Sequence, residues 1–211
     1  MANFTLNAYS MVFSEHVMAK QLELSNKILI SASVLPDIDM SHGTVIFKLE
    51  KDGTEIYCGM HEYVDSPGLC FVPHKYLSML KCNVGDAVTV SQVTDLPKGD
   101  YIKIKPFETA FIQLANPKAV LEKFIVKGFP VLTQGEIITI KYLDHDYEIE
   151  IVETKPNPII KTIDCDINLD FDEPYDYEEK KEEERKPSPP PRPESPPDPR
   201  FPGVGRRLGT A

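Results

Sequence analysis

Short apolar runs rich in Val, Ile, Thr, Tyr and Phe recur through residues 3–172, each bounded by Gly, Asp, Asn or Pro. That is the pattern of a β-rich unit, because branched and aromatic side chains fit a pleated surface and the punctuating residues fit turns. Strands are predicted over 4–13, 27–30, 44–49, 54–60, 69–72, 87–93, 101–105, 136–142, 147–152 and 159–163. Lys51-Asp52-Gly53 is a hairpin turn between the third and fourth of these. Helices are few. One is expected over 74–81, after Pro73. Another is expected over 117–127, with Asn116 as its N-cap, proline at its first position, and Gly128 as the C-cap.

Two six-residue stretches repeat one pattern. Gly85-Asp86-Ala87-Val88-Thr89-Val90 and Gly135-Glu136-Ile137-Ile138-Thr139-Ile140 each read as glycine, acid, then a strand-forming run. Each predicts a tight turn that launches a strand, and together they suggest two β-containing subdomains split by the 117–127 helix. Farther on, Asp164, Asp166, Asp170 and Asp172 alternate with Cys165, Ile167, Leu169 and Phe171. A period of two with one acidic side predicts a strand with a wet face rather than a calcium site.

Composition sharpens the outline. Residues 1–163 hold 20 acidic and 15 basic side chains, residues 164–184 hold 11 acidic against two lysines, and residues 185–211 hold two acidic against six basic. A folded core, an acidic hinge and a basic terminus are thereby distinguished. The overall charge of −10 opposes nucleic-acid binding. No run approaches the roughly 20 apolar residues of a membrane span, and none has the order of a signal peptide, so no membrane insertion is expected. Four cysteines in 211 residues fit a reducing compartment, and the Asn3-Phe4-Thr5 sequon is read as chance.

Nine prolines fall in residues 187–202, where few apolar side chains accompany them. Proline lacks the N–H a helix or ladder needs, so a disordered, polyproline-rich linker is expected. PxxP spacing within 189–193 leaves open a scaffold that binds proline-recognition modules.

Candidate chemistry is sparse. Cys58-x2-His61 and Cys70-x3-His74 have zinc-like spacing, yet both cysteines sit inside apolar strand runs, where a neutral buried thiol is ordinary. These four residues are expected to bind no metal. A cysteine hydrolase using Cys70 and His74 is the enzymatic alternative, although no nucleophile signature surrounds them. Neither GxxxxGK[ST] nor GxGxxG occurs, so no nucleotide cofactor is expected. The sharpest signal lies at the far end: Phe201, Gly203, Gly205 and Leu208 set two apolar anchors around paired glycines, with Arg206 and Arg207 between. Such a peptide can dock extended while its anchors fill pockets.

The stretches Leu69-Cys70-Phe71-Val72-Pro73-His74, Asn116-Pro117-Lys118-Ala119-Val120-Leu121-Glu122, Val152-Glu153-Thr154-Lys155-Pro156 and Cys165-Asp166-Ile167-Asn168-Leu169-Asp170-Phe171 resemble the ubiquitin fusion degradation protein family. That family comprises ubiquitin-recruiting cofactors of the valosin-containing AAA ATPase. The resemblance implies a double-psi β-barrel over 1–115, a smaller mixed α/β subdomain over 116–173, an acidic then proline-rich disordered linker over 174–200, and an ATPase-binding box over 201–208. The box residues are Phe201, Gly203, Gly205, Arg206, Arg207 and Leu208, matching F-x-G-x-G-x-x-L.

The implied function is a non-catalytic adaptor that carries ubiquitin or ubiquitinated substrates to the ATPase for unfolding and proteasomal degradation. Its ubiquitin-contact residues are not visible in the sequence. The nuclear protein localization homolog is the implied heterodimer partner. Cytoplasm, nucleus and the surface of the endoplasmic reticulum are the implied locations. Three departures mark this chain: Ile30-Ser31-Ala32-Ser33-Val34-Leu35 stands where an LPPSAL-like stretch is usual, Lys75 stands where a tryptophan is common, and the docking segment for the heterodimer partner is not recognisable. A 27-residue linker would span about 30 Å as flexible coil and about 80 Å as extended polyproline II.

Overall fold

The computed structural model describes residues 3–41 and 43–177. The expected box at 201–208, the prolines of 187–202 and residues 178–184 of the acidic hinge lie outside the described residues. No helix among the described residues is long and apolar enough to cross a membrane.

Six strands close into a barrel: β1 (Asn3–Ser10), β2 (Lys27–Ser31), β3 (Ile46–Lys51), β4 (Thr54–Val64), β5 (Leu69–Val72) and β6 (Ala87–Val93), in the order β1-β5-β2-β4-β3-β6. β6 returns antiparallel to β1, so no edge is left open. The pairs β1–β5 and β2–β4 are parallel, and the remaining pairs are antiparallel. Leu6 and Ala8 of β1 point inward with Ile28 and Ile30, Phe47 and Leu49, Cys58, and Val88 and Val90. Each fully buried aliphatic side chain contributes about 1.5–3 kcal/mol against exposure. A short helix, α2 (His74–Met79), sends Tyr76 and Leu77 into the same core.

β2 is buried on both faces, which accounts for its continuous apolar run Ile28-Leu29-Ile30. Its Leu29 points away from the barrel interior and packs with Phe71, Met11 and Leu22. That outer layer comes from a 3₁₀ turn, Met11–Phe13, and a one-turn helix, α1 (Ala19–Leu22). The strand expected over 4–13 stops at Ser10, because the Ser10 hydroxyl accepts from the Val12 N–H at 3.4 Å and caps the turn.

The second unit is a four-stranded sheet in the order β12-β7-β10-β9, built from β7 (Tyr101–Pro106), β9 (Ile137–Tyr142), β10 (His145–Lys155) and β12 (Asn168–Phe171). Beside it, β8 (Val131–Thr133) pairs with β11 (Ile159–Lys161). β7 precedes the division at 115/116 read from the sequence, yet Ile102 and Ile104 pack with Ile138, Ile140, Ile149 and Ile151 in the core of this second unit. Also covering it are α3 (Thr109–Ile112) and α4 (Pro117–Gly128). The Asn116 side chain accepts from the Ala119 N–H at 3.1 Å, the cap expected for α4. Its other end differs from expectation: Gly128 is the last helical residue and Phe129 is the C-cap.

In the 164–172 stretch only β12 joins the sheet, parallel to β7, with Leu169 and Phe171 half-buried and Asn168 and Asp170 exposed. The chain stays packed past the expected start of the linker. Tyr175 lies against Phe107 with ring centroids 4.8 Å apart, and Asp176 accepts from the Thr109 N–H at 2.7 Å.

Candidate functional site

The Cys–His constellation is dispersed by the fold. Cys58 and Cys70 lie fully buried in the barrel core. The Cys58 thiol donates to the Phe47 carbonyl at 3.7 Å. Burial pushes the Cys70 thiol up to about 12 and the Cys58 thiol well above its ordinary value, away from the thiolate that a nucleophile or metal ligand requires. His74 is exposed at the start of α2, where its N–H donates to Glu23 at 2.6 Å. Among the described residues no histidine is hydrogen-bonded to a cysteine.

What the sequence did not signal is the seam between barrel and second unit. Among the described residues, four buried side-chain atoms lack a hydrogen-bond partner: Glu23 Oε2, Asn26 Oδ1, Tyr76 OH and Glu136 Oε1. All four gather on this seam. Asn26, at the entry to β2, donates through Nδ2 to the Val131 carbonyl and through its N–H to the Gly128 carbonyl at 3.1 Å. Its own carbonyl accepts from Gly59 of β4 at 3.0 Å, so one residue joins the two units. Beside it, a Cβ on Gly59 would stand 2.1 Å from Pro130 Cγ, a distance only glycine permits.

Lys75 crosses the same seam. Its Nζ stands 3.7 Å from Glu136 Oε1 and 5.9 Å from the Phe129 ring centroid. Glu136 is 9% exposed and Lys75 32% exposed. Desolvation raises the Glu136 pKa and lowers that of Lys75, so burial outweighs the attraction between them on both sides. The Tyr76 hydroxyl, fully buried, faces the Glu136 carboxyl without closing a well-formed hydrogen bond. The only sequence hint was Lys75 itself, a charged residue where the resembling family commonly has tryptophan.

Two exposed surfaces remain. On the outer layer of the barrel, Val12 (73% exposed), Phe13 (62%), Val17 (96%) and Met18 (38%) form an apolar surface around His16. His16 Nε2 lies 2.8 Å from Glu62 Oε2, and its ring meets that of His61 edge-on at 5.4 Å. On the second unit, α4 and Tyr142 form a shallow groove floored by Val120 and Phe124 and rimmed by Lys123 and Lys127.

Comparison with known proteins covers residues 2–174. The family profile "Ubiquitin fusion degradation protein UFD1, N-terminal subdomain 1" matches residues 2–97, and "N-terminal subdomain 2" matches residues 98–174. The human protein named ubiquitin recognition factor in ER-associated degradation protein 1 is 35% identical over 157 residues, covering 72% of this chain and 50% of that protein. A Dictyostelium discoideum ubiquitin fusion degradation protein 1 homolog is 33% identical over 157 residues, covering 72% and 47%. The Saccharomyces cerevisiae ubiquitin fusion degradation protein 1 is 27% identical over 170 residues, covering 77% and 46%. The chain thus spans about half the length of the curated relatives it matches.

Proposed function

This chain belongs to the ubiquitin fusion degradation protein family, and from that premise we propose that it is a non-catalytic adaptor in ubiquitin-dependent protein degradation. The barrel and its companion unit recognise ubiquitin or ubiquitin chains on a substrate. The segment Phe201-Pro202-Gly203-Val204-Gly205-Arg206-Arg207-Leu208 holds the N-terminal domain of the valosin-containing AAA ATPase. The observation that carries this reading is the pairing of two family subdomains over 2–174 with an F-x-G-x-G-x-x-L box behind an acidic, proline-rich stretch. We also read the barrel as the double-psi type, for which its two parallel strand pairs are favourable.

The buried thiols of Cys58 and Cys70 support the non-catalytic part of the reading. Tethering needs no new contact to strengthen a weak site: once the box is held, ubiquitin recognition acts at a raised effective concentration. Ubiquitin itself is bound weakly and chains more tightly, without cleavage. The nuclear protein localization homolog is the proposed heterodimer partner.

The test is a titration of the intact chain with the isolated ATPase N-terminal domain. Phe201→Ala or Leu208→Ala is expected to lose about 2 kcal/mol or more of binding while the melting curve stays put. Wild-type affinity in both variants would remove the box from the account.

A further inference from the structure

In β4, His61 and Glu62 are consecutive, so on a regular strand their side chains would point to opposite faces. They do not. The β2–β4 ladder pairs Ile28 with Met60 and then Leu29 with Glu62, so His61 is the extra residue of a bulge. A bulge re-aims a side chain, and here it turns two neighbouring ligand types toward one place. From the other direction comes His16, half-buried between the Met11–Phe13 turn and α1. One ligand atom from each of His16, His61 and Glu62 lies within 4.8 Å of the other two.

We propose that His16, His61 and Glu62 form a binding site for a borderline divalent metal, zinc(II) being the ion that fits best. Two imidazoles and one carboxylate with a position left for water is a donor set suited to zinc. Zinc bonds of about 2.0–2.2 Å place tetrahedral ligand atoms roughly 3.3–3.5 Å apart. From 4.8 Å the widest separation closes by about 1.5 Å at most, while the 2.8 Å His16–Glu62 contact opens by about half an ångström, and Glu62, 60% exposed on its side chain, is free to make that movement.

Metal entry has a structural consequence. The Met18 N–H donates to His16 Nδ1 at 3.1 Å, so the ring proton sits on Nε2, directed at Glu62. For Nε2 to take the metal, its proton leaves to water and a proton from water arrives on Nδ1. The Met18 N–H then loses its acceptor. Loading the site therefore reshapes 16–18, the segment that presents Val17 and Met18 to solvent. His145 and Glu108 supply an internal control: they make the same contact at 2.9 Å, with no second imidazole in the cluster.

The experiment uses the intact chain without a histidine tag, titrated with zinc against a weak chromophoric chelator and followed in parallel by amide NMR. One equivalent of zinc is expected to bind, with the Met18 amide among the largest shifts. His16→Gln and His61→Gln should each lower zinc affinity at least about tenfold. Glu62→Gln, an exposed change that leaves the strand intact, should lower it as well, while His145→Gln should not. Unchanged affinity in the His16, His61 and Glu62 variants, an unmoved Met18 amide, or no zinc uptake by the wild-type chain would each overturn the site. None of these results bears on the adaptor reading, which the ATPase titration tests separately.

Discussion

The two glycine–acid turns share six positions of pattern and one backbone geometry, yet their acids live in opposite surroundings. Gly85 and Gly135 take φ of +90° and +83°, and each turn delivers a strand, β6 and β9. Asp86 then makes a half-buried pair with Lys51, its own side chain 34% exposed, and accepts from the Asn83 N–H at 3.0 Å, and these contacts lower its pKa. Glu136 pairs with Lys75 inside the seam, and desolvation raises its pKa. Local sequence sets the turn and the strand it launches. What packs above the turn decides whether the acid is stabilised or penalised by its charge.

The largest effect should come from breaking the buried pair. Lys75→Met leaves the Glu136 carboxylate in the seam without its cation and is expected to cost about 2 kcal/mol in urea denaturation. Lys51→Met should shift the midpoint less, since the Asp86 carboxylate, 34% exposed against 9% for Glu136, keeps water to solvate its charge. Adding Glu136→Met to Lys75→Met should restore most of the loss, because an apolar pair of similar volume fills the same place. Equal losses for Lys75→Met and Lys51→Met would erase the contrast between the two turns.

Next in size are the glycines, where the turns should behave alike. An alanine at either position is held in the left-handed region, at about 1 kcal/mol each. Gly85→Ala and Gly135→Ala are therefore expected to give matched losses in thermal melts. A loss confined to one of them would show that the shared pattern does not reflect a shared backbone demand.

The smallest effect, and the most specific, is in pH. A carboxyl whose folded pKa is raised holds its proton more tightly in the folded state. Its contribution to stability is complete below its ordinary value of 4.5 and is lost as pH rises through the folded value. Asp86 runs the other way: its contribution is present above 3.8 and is lost as pH falls. As pH rises above about 4.5 and through the raised folded value, Glu136→Gln should thus gain stability relative to wild type. Asp86→Asn should approach wild type as pH falls below 3.8. Parallel slopes for the two variants would contradict the assignment of opposite environments.

Much of the fold could be read from local chemistry. The strands at Leu69–Val72 and Ala87–Val93 coincide with their expected bounds, and so do both glycine turns and the Asn116 cap of α4. α1, α3 and β8 were not foreseen, since elements of three or four residues are too short to show a period. The Cys–His spacing suggested a cluster that the barrel divides, because Cys58 and Cys70 face inward while His74 opens a helix on the outside. His16 carried no signal at all, being 45 and 46 positions away from the two residues it meets.

By itself, then, the sequence determined where the chain turns, which runs become strands, which helix end is capped, and that thiols in apolar runs are buried. These properties follow from side-chain shape and backbone preference within a few residues. Its motifs likewise carried the family. Only the tertiary structure decided that β7 packs with the second unit, that a bulge at His61 brings it beside His16 and Glu62, and that Asn26, Lys75, Tyr76 and Glu136 share one seam. Desolvation and long-range pairing depend on which surfaces meet in the folded chain, and no window of a few residues contains that information.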